Sequence, residues 1–160
     1  MVAYIPYREI VRGLLTHPNQ ERPLFFALLK FRSVHGLPGI RPVMRILHRA
    51  RACMADHLDA LGRQLERHGG PWIAAERFTL ADISWVVLLD RLAEADWDQY
   101  FWGGGKRPAV AAYWERLQAR PSYRSEIVDR RCPITCKGIA DLKAAKATDP
   151  RLGEALEEVG

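Results

Sequence analysis

The spacing of hydrophobic positions predicts a long amphipathic helix in the first half of the chain. Between residues 43 and 65, apolar side chains recur every three or four positions: Val43, Leu47, Ala50, Met54, Leu58, Leu61 and Leu65. This spacing places them on one face of a helix. Pro42 is compatible with the first turn, and Gly69-Gly70 predicts the end of the helix.

A second segment, residues 80–95, is apolar in a different way. Its large side chains do not alternate with polar ones, because they include Trp85, Val86, Val87, Leu88, Leu89 and Leu92. A helix that is hydrophobic on nearly every side is normally buried. We therefore expect residues 80–95 to form a helix in the middle of a helical bundle.

The residues before this helix have the pattern of a capping box. Thr79 is a preferred N-cap residue, Asp82 follows three positions later, and Phe78 and Ile83 occupy the positions of a hydrophobic staple. A buried helix start cannot use water to satisfy its backbone N–H groups. We therefore interpret Thr79 and Asp82 as a structural capping box, and we do not assign acid–base catalysis to Asp82.

The rest of the chain is predicted to be helical as well, with no strand. Residues 4–15 and 23–34 have helical patterns, separated by a segment that contains Pro18 and Pro23, and Pro108 opens a further helix that ends before Pro121. We expect one domain, residues 1–160, with less clearly defined helices in 1–42, a core in 43–130, and a tail in 131–160 that folds back as one more helix or frays. The predicted fold is all-α, a bundle of five or six helices.

Charge is unevenly distributed along the 160 residues, whose formal net charge is +5. Residues 1–69 hold 11 of the 24 Lys and Arg residues but 5 of the 19 Asp and Glu residues. A basic face attracts nucleic acid, an acidic partner or a small anion, although scattered basic residues more often form a solvated helix surface. Because no stacking platform or nucleic-acid-binding signature is present, we do not expect a nucleic-acid partner.

The expected location is the cytoplasm. No apolar run reaches the roughly 18 residues of a membrane span, and the N-terminus lacks the features of a secretory signal, so we expect no membrane association. Three cysteines are too few for a disulfide framework.

Few residues are candidates for catalysis or metal binding. Cys132 and Cys136 form C-P-I-T-C, one residue longer than a thioredoxin-type motif, and no histidine is nearby in sequence. We interpret them as two ordinary thiols. We therefore assign no catalytic residue and no metal site.

An aromatic cluster precedes three glycines in "ADWDQYFWGGGKRP". Its tryptophans, Trp97 and Trp102, could form the wall of a pocket for an apolar molecule or a partner surface. Alternatively, the cluster covers the end of the central helix while Gly103–Gly105 turn the chain.

Two sequence runs carry a family resemblance. "GGPWIAAERFTLADISWVVLLDRL" followed by "RPAVAAYWERLQARPSYR" is similar to the C-terminal helical domain of cytosolic glutathione transferases, with a Gly-rich turn, a T-x-A-D capping box and a P-x-V-x-x-x-W helix. The resemblance covers residues 43–130. It implies the same all-α fold and a structural role for Thr79 and Asp82.

The resemblance also implies a function for the chain. In the family, a thioredoxin-like half supplies the glutathione site and the catalytic residue, and the N-terminus here does not resemble that half. The resemblance thus implies the domain that shapes the substrate pocket. Our candidate substrate-binding residues are Trp97 and Trp102 of the aromatic cluster, and Tyr4 and Tyr7 near the edge where a thioredoxin-like half would dock. Glutathione would be a co-substrate only with a thioredoxin-like half, in the same or another chain, and this chain alone would be inactive. A homodimer is expected. The alternative is a non-catalytic protein–protein interaction module of the same fold.

Overall fold

The computed structural model describes residues 39–74 and 76–157. The chain divides into two compact units, residues 1–46 and 47–160. The described residues of the first unit are 39–46, which include the beginning of the first helix. The single-domain expectation stays a prediction.

Seven α-helices follow one another in the described residues, and none of these residues forms a strand. The bounds are α1, Arg41–His68; α2, Leu80–Glu94; α3, Asp98–Phe101; α4, Pro108–Gln118; α5, Pro121–Tyr123; α6, Pro133–Thr148; and α7, Pro150–Glu157. A 3₁₀ turn, Gly103–Gly105, lies between α3 and α4, and α5 continues into a π-helical turn, Arg124–Val128. The expected all-α fold is confirmed.

The ends of α1 and α4 follow from local sequence. Gly69 has a φ of 63° and donates its N–H to the Leu65 carbonyl at 3.0 Å, which is the conformation of a glycine that terminates a helix. Pro108 is the first residue of α4. A backbone N–H at this position makes no hydrogen bond within the helix, so proline, which lacks the N–H, is tolerated there. The next helix begins at Pro121 with Arg120 as its N-cap residue.

The core of the second unit is formed by one face each of α1, α2 and α4, together with the aromatic residues at the end of α3. Its buried members are Leu58, Leu61, Leu65, Val86, Leu89, Leu92, Phe101, Trp102, Val110, Tyr113, Trp114 and Leu117. Within the predicted stripe of α1, the last three leucines are buried, whereas Ala50 is exposed.

The expectation that α2 is buried on all sides is wrong for one flank. Leu80 is 80% exposed and Val87 is 47% exposed, and Ile83 and Leu88 are also exposed. The buried residues of α2 are Asp82, Val86, Leu89, Asp90 and Leu92. The physical reason is that a uniformly apolar sequence does not specify which side the neighbouring elements of the fold will cover.

Ion pairs connect α2 and the residues just after it to the C-terminal part of the chain. Arg131, just before α6, contacts Asp90 and Glu94 of α2. Lys146 in α6 donates to Asp96 Oδ2 at 2.9 Å, just beyond the end of α2. Within the predicted tail, residues 133–157 form two helices, α6 and α7.

Candidate functional site

The carboxylate of Asp82 is completely buried at the start of α2. Together with Thr79 it forms the capping box, in which the Thr79 N–H donates to Oδ2 at 2.8 Å. The Thr79 hydroxyl donates to the same oxygen at 2.9 Å. The other oxygen, Oδ1, accepts from the Ile73 N–H at 3.1 Å and from the Tyr113 hydroxyl at 2.9 Å. Four donors from three parts of the chain thus meet one carboxylate.

These contacts decide the protonation state of Asp82. Burial by itself raises the pKa of this carboxyl, but the N–H groups of Ile73 and Thr79 and the hydroxyls of Tyr113 and Thr79 outweigh burial, so the pKa lies below its ordinary value. Burial, and then the hydrogen bond to Asp82, raise the pKa of Tyr113. Asp82 is therefore a fixed negative charge whose oxygens are already occupied, which suits a structural role rather than proton transfer.

A second buried carboxylate, Asp90, lies two turns further along α2. Its Oδ1 accepts from the Tyr123 hydroxyl at 2.7 Å, and Arg131 Nη2 donates to Oδ1 at 2.7 Å and to Oδ2 at 2.9 Å. Arg131 also pairs with Glu94 at 2.8 Å. Burial raises the pKa of Tyr123, and its bond to Asp90 adds to that effect. This cluster is not predicted from the sequence, although a lone aspartate inside an apolar run is a signal for a buried partner.

A groove of about 270 Å³ runs beside the exposed flank of α2. We call it the apolar groove; its lining residues are Phe78, Ile83, Val86, Val87, Leu117, Arg120, Ser122, Tyr123, Glu126 and Ile127. The Arg120 guanidinium carbon lies 3.7 Å from the centroid of the Phe78 ring, a cation–π contact. The groove therefore combines apolar walls with one aromatic-stacked cation, Arg120, and one carboxylate, Glu126.

The predicted pocket residues are not part of this groove. Trp102 is 6% exposed and packs edge-on against Trp114, with ring centroids 6.2 Å apart. Trp97 is half-buried and packs edge-on against Phe101 at 5.9 Å. Both thus cover the core near the end of α2, and Tyr4 and Tyr7 lie outside the described residues. The role of these four residues in substrate binding stays a prediction.

The remaining candidates have ordinary surroundings. Cys53, Cys132 and Cys136 are exposed free thiols. Within residues 39–74 and 76–157, no three His, Cys, Asp or Glu side chains converge as they do in a metal site. None of the helices in the described part of the chain is long and apolar enough to span a bilayer.

The fold and the capping box agree with the comparison of the sequence with protein families. Residues 49–124, which include α2, its capping box and α4, match the family described as "Glutathione S-transferase, C-terminal domain". The match lies within the part of the chain in which the sequence motifs indicated a glutathione S-transferase C-terminal domain.

Curated relatives share the same region. A 2,5-dichlorohydroquinone reductive dechlorinase from Sphingobium indicum is 41% identical over 68 residues, which are 42% of this chain and 20% of the dechlorinase. A tetrachloro-p-hydroquinone reductive dehalogenase from Sphingobium chlorophenolicum is 34% identical over 34% of this chain and 21% of that enzyme. The human ganglioside-induced differentiation-associated protein 1-like 1 is 33% identical over 42% of this chain and 19% of that protein. The matched segment thus spans about a fifth of each relative. No solved structure matches the chain at a comparable level of significance.

Proposed function

We propose that this chain is the substrate-pocket domain of a glutathione S-transferase-like protein that acts on apolar electrophiles. The observation that carries the proposal is the apolar groove beside α2, in a domain whose family is that of the glutathione transferases. Apolar walls hold a flat electrophile by burying its surface, and the Arg120 guanidinium beside Phe78 adds an attraction for an electron-rich ring substituent.

In the proposed reaction, a thioredoxin-like half supplies bound glutathione as co-substrate. The thiolate sulfur forms a bond to the electrophilic carbon, and the leaving group departs with the electron pair of the bond that breaks. In this scheme the residues of the groove bind and orient the electrophile, and they take no part in activating the thiol. We therefore expect this chain alone to bind the electrophile without turning it over.

The names of the bacterial relatives suggest a test electrophile, 2,5-dichlorohydroquinone. Its binding can be followed by the intrinsic fluorescence of the chain, since Tyr123 lines the groove. The substitution Val87→Lys places a charge in the groove and should weaken binding about tenfold or more, because the ammonium group would be desolvated by the bound ring.

Val128→Lys is the matched control, because Val128 is similarly exposed but does not line the groove. Equal affinities of wild type and Val87→Lys would contradict the assignment of the groove.

A second measurement addresses the reaction. We expect chloride release from 2,5-dichlorohydroquinone with glutathione when the chain is joined to a thioredoxin-like half, and no chloride release from the chain alone.

We further infer that the working protein is a cytoplasmic homodimer that contains a thioredoxin-like domain in the same or another chain. This inference is supported by family membership. We propose neither a nucleic-acid partner nor a membrane partner.

A non-catalytic interaction module is the second candidate function. It is favoured by the exposed apolar flank of α2, where Leu80, Ile83, Val87 and Leu88 stand in contact with solvent. Exposed apolar patches of this kind often bind other proteins. The intact mass of the protein in its native cell separates the two candidates: a species clearly heavier than 160 residues favours the transferase, and one of this length favours the module.

A further inference from the structure

A cysteine and a histidine lie side by side on the exposed face of α1. Cys53 and His57 are four residues apart, and Cys53 Sγ lies 3.5 Å from His57 Nε2. Residues at this spacing are neighbours on a helix surface. Both side chains are exposed, so a cation can reach them from solvent. Cysteine sulfur and histidine nitrogen are the ligands that most often bind zinc in proteins.

The distance between the two atoms fits a shared metal ion. A tetrahedral zinc ion holds sulfur at about 2.3 Å and nitrogen at about 2.0–2.1 Å. Two such ligands at the tetrahedral angle are about 3.6 Å apart, which is the third side of the triangle that they form with the metal. The 3.5 Å between Cys53 Sγ and His57 Nε2 is close to this value. The pair therefore has the spacing of one edge of a zinc coordination tetrahedron.

The backbone that carries the pair is anchored to the core. Leu58, next to His57, is completely buried, and Leu61 lies one turn further along the same helix and is buried too. Met54, next to Cys53, also packs against this core. Because the two ligands stand on a helix that is held on its opposite face, little backbone freedom is lost when a metal ion binds them.

The pair supplies two of the four ligands of a tetrahedral ion. Within the described residues, no group of three His, Cys, Asp or Glu side chains converges here, so water or a ligand from another molecule completes the coordination. Arg49, one turn before Cys53, and Asp56, next to His57, are exposed and opposite in charge. The bonds to sulfur and nitrogen, rather than the local net charge, would therefore hold the cation.

We propose that Cys53 and His57 form a two-ligand binding site for zinc. On binding, the Cys53 thiol releases its proton to solvent and the thiolate sulfur bonds to the metal. The neutral His57 imidazole donates the lone pair of Nε2 and keeps its proton on Nδ1. The site is separate from the apolar groove, whose lining includes neither residue, and it does not depend on the proposed transfer reaction.

The test uses the full chain with Cys132→Ser and Cys136→Ser, which leaves Cys53 as its single cysteine. Zn²⁺ is titrated into this protein, and Co²⁺ serves as a second probe, because a thiolate bound to cobalt gives a charge-transfer absorption band. We expect one Zn²⁺ bound per chain and a cobalt–thiolate band. Cys53→Ser should abolish the band. His57→Ala should weaken Zn²⁺ binding about tenfold or more, since even the loss of an outer-shell partner costs about 10–100-fold in metal affinity.

His68→Ala is the matched control, because His68 is an exposed histidine at the last position of the same helix. It lies about three turns beyond His57, too far to share a metal ion with Cys53, and its loss should leave the Zn²⁺ affinity unchanged. All of these substitutions are at exposed positions, so circular dichroism should show an unchanged helix content. The proposal is overturned if the chain shows no saturable Zn²⁺ binding, or if His57→Ala and His68→Ala weaken binding equally.

Discussion

At the scale of single residues, Asp82 determines how the start of α2 is built. Its two oxygens accept from Ile73 in the preceding loop, from Thr79 at the N-cap and from Tyr113 in α4. A carboxylate in this position also meets the positive end of the helix dipole. One side chain therefore joins a loop and two helices at a place that water does not reach.

Replacing Asp82 by asparagine should be strongly destabilising. Asn keeps the volume and one acceptor oxygen, but its amide group would face the donors of Thr79, so buried donors lose their acceptor. We expect a loss of about 3 kcal/mol in the free energy of unfolding, measured by urea denaturation. Asp141→Asn, an exposed substitution of the same kind on α6, should change it by less than about 0.5 kcal/mol. Equal midpoints for the two variants would refute the structural role of Asp82.

At the scale of elements, proline and glycine mark where helices begin and where the chain turns between them. Proline restricts the backbone, and glycine permits conformations that other residues avoid. Four helices, α4, α5, α6 and α7, begin with proline. Between α3 and α4 the chain turns through Gly104 and Gly105, whose φ values are 59° and 79°. These left-handed angles favour glycine, because a Cβ would approach the carbonyl oxygen of the same residue.

Two glycine-to-alanine substitutions should therefore have opposite effects. Neither Gly105 nor Gly138 has an atom within 4 Å of an added Cβ, so packing does not decide the outcome. Gly105→Ala forces alanine into a left-handed conformation and should destabilise the protein by about 1 kcal/mol. Gly138 lies inside α6, where alanine should stabilise by about 0.5–1 kcal/mol. Thermal unfolding gives the melting temperature of each variant. A change in melting temperature of the same sign in both variants would contradict the backbone explanation.

At the scale of the whole molecule, buried charges connect parts of the chain that are far apart in sequence. Asp90 binds Tyr123 and Arg131, which follow it by 33 and 41 residues. Burial alone lowers the pKa of Arg131, but the carboxylates of Asp90 and Glu94 outweigh burial and raise it. These contacts join α2 to two segments that follow α4 in the chain.

The stability of the fold should depend on pH at the acid end through Asp82. Its pKa is lower in the folded protein than the ordinary value of 3.8, so its contribution to stability is complete above that value and is lost as the pH falls through the folded pKa. The difference in unfolding free energy between wild type and Asp82→Asn should therefore shrink on acidification below about pH 4. Urea midpoints measured across the acid range test this. A difference that is independent of pH would show that Asp82 does not titrate as proposed.

The sequence by itself determined the features that depend on near neighbours in the chain. The ends of α1 and α4, the capping residues Thr79 and Asp82, and the all-α class follow from periodicity, glycine and proline, because each is decided within about one helical turn. Only the tertiary structure decided which flank of α2 is exposed, because apolar side chains lie on both flanks of that helix.

Long-range partners were also decided by the tertiary structure. The hydroxyl of Tyr113 reaches Asp82 across 31 residues, and Trp102 packs against Trp114 in the core. Local patterns contain no information on such encounters, because they are set by how the helices pack and not by the spacing of residues along one helix.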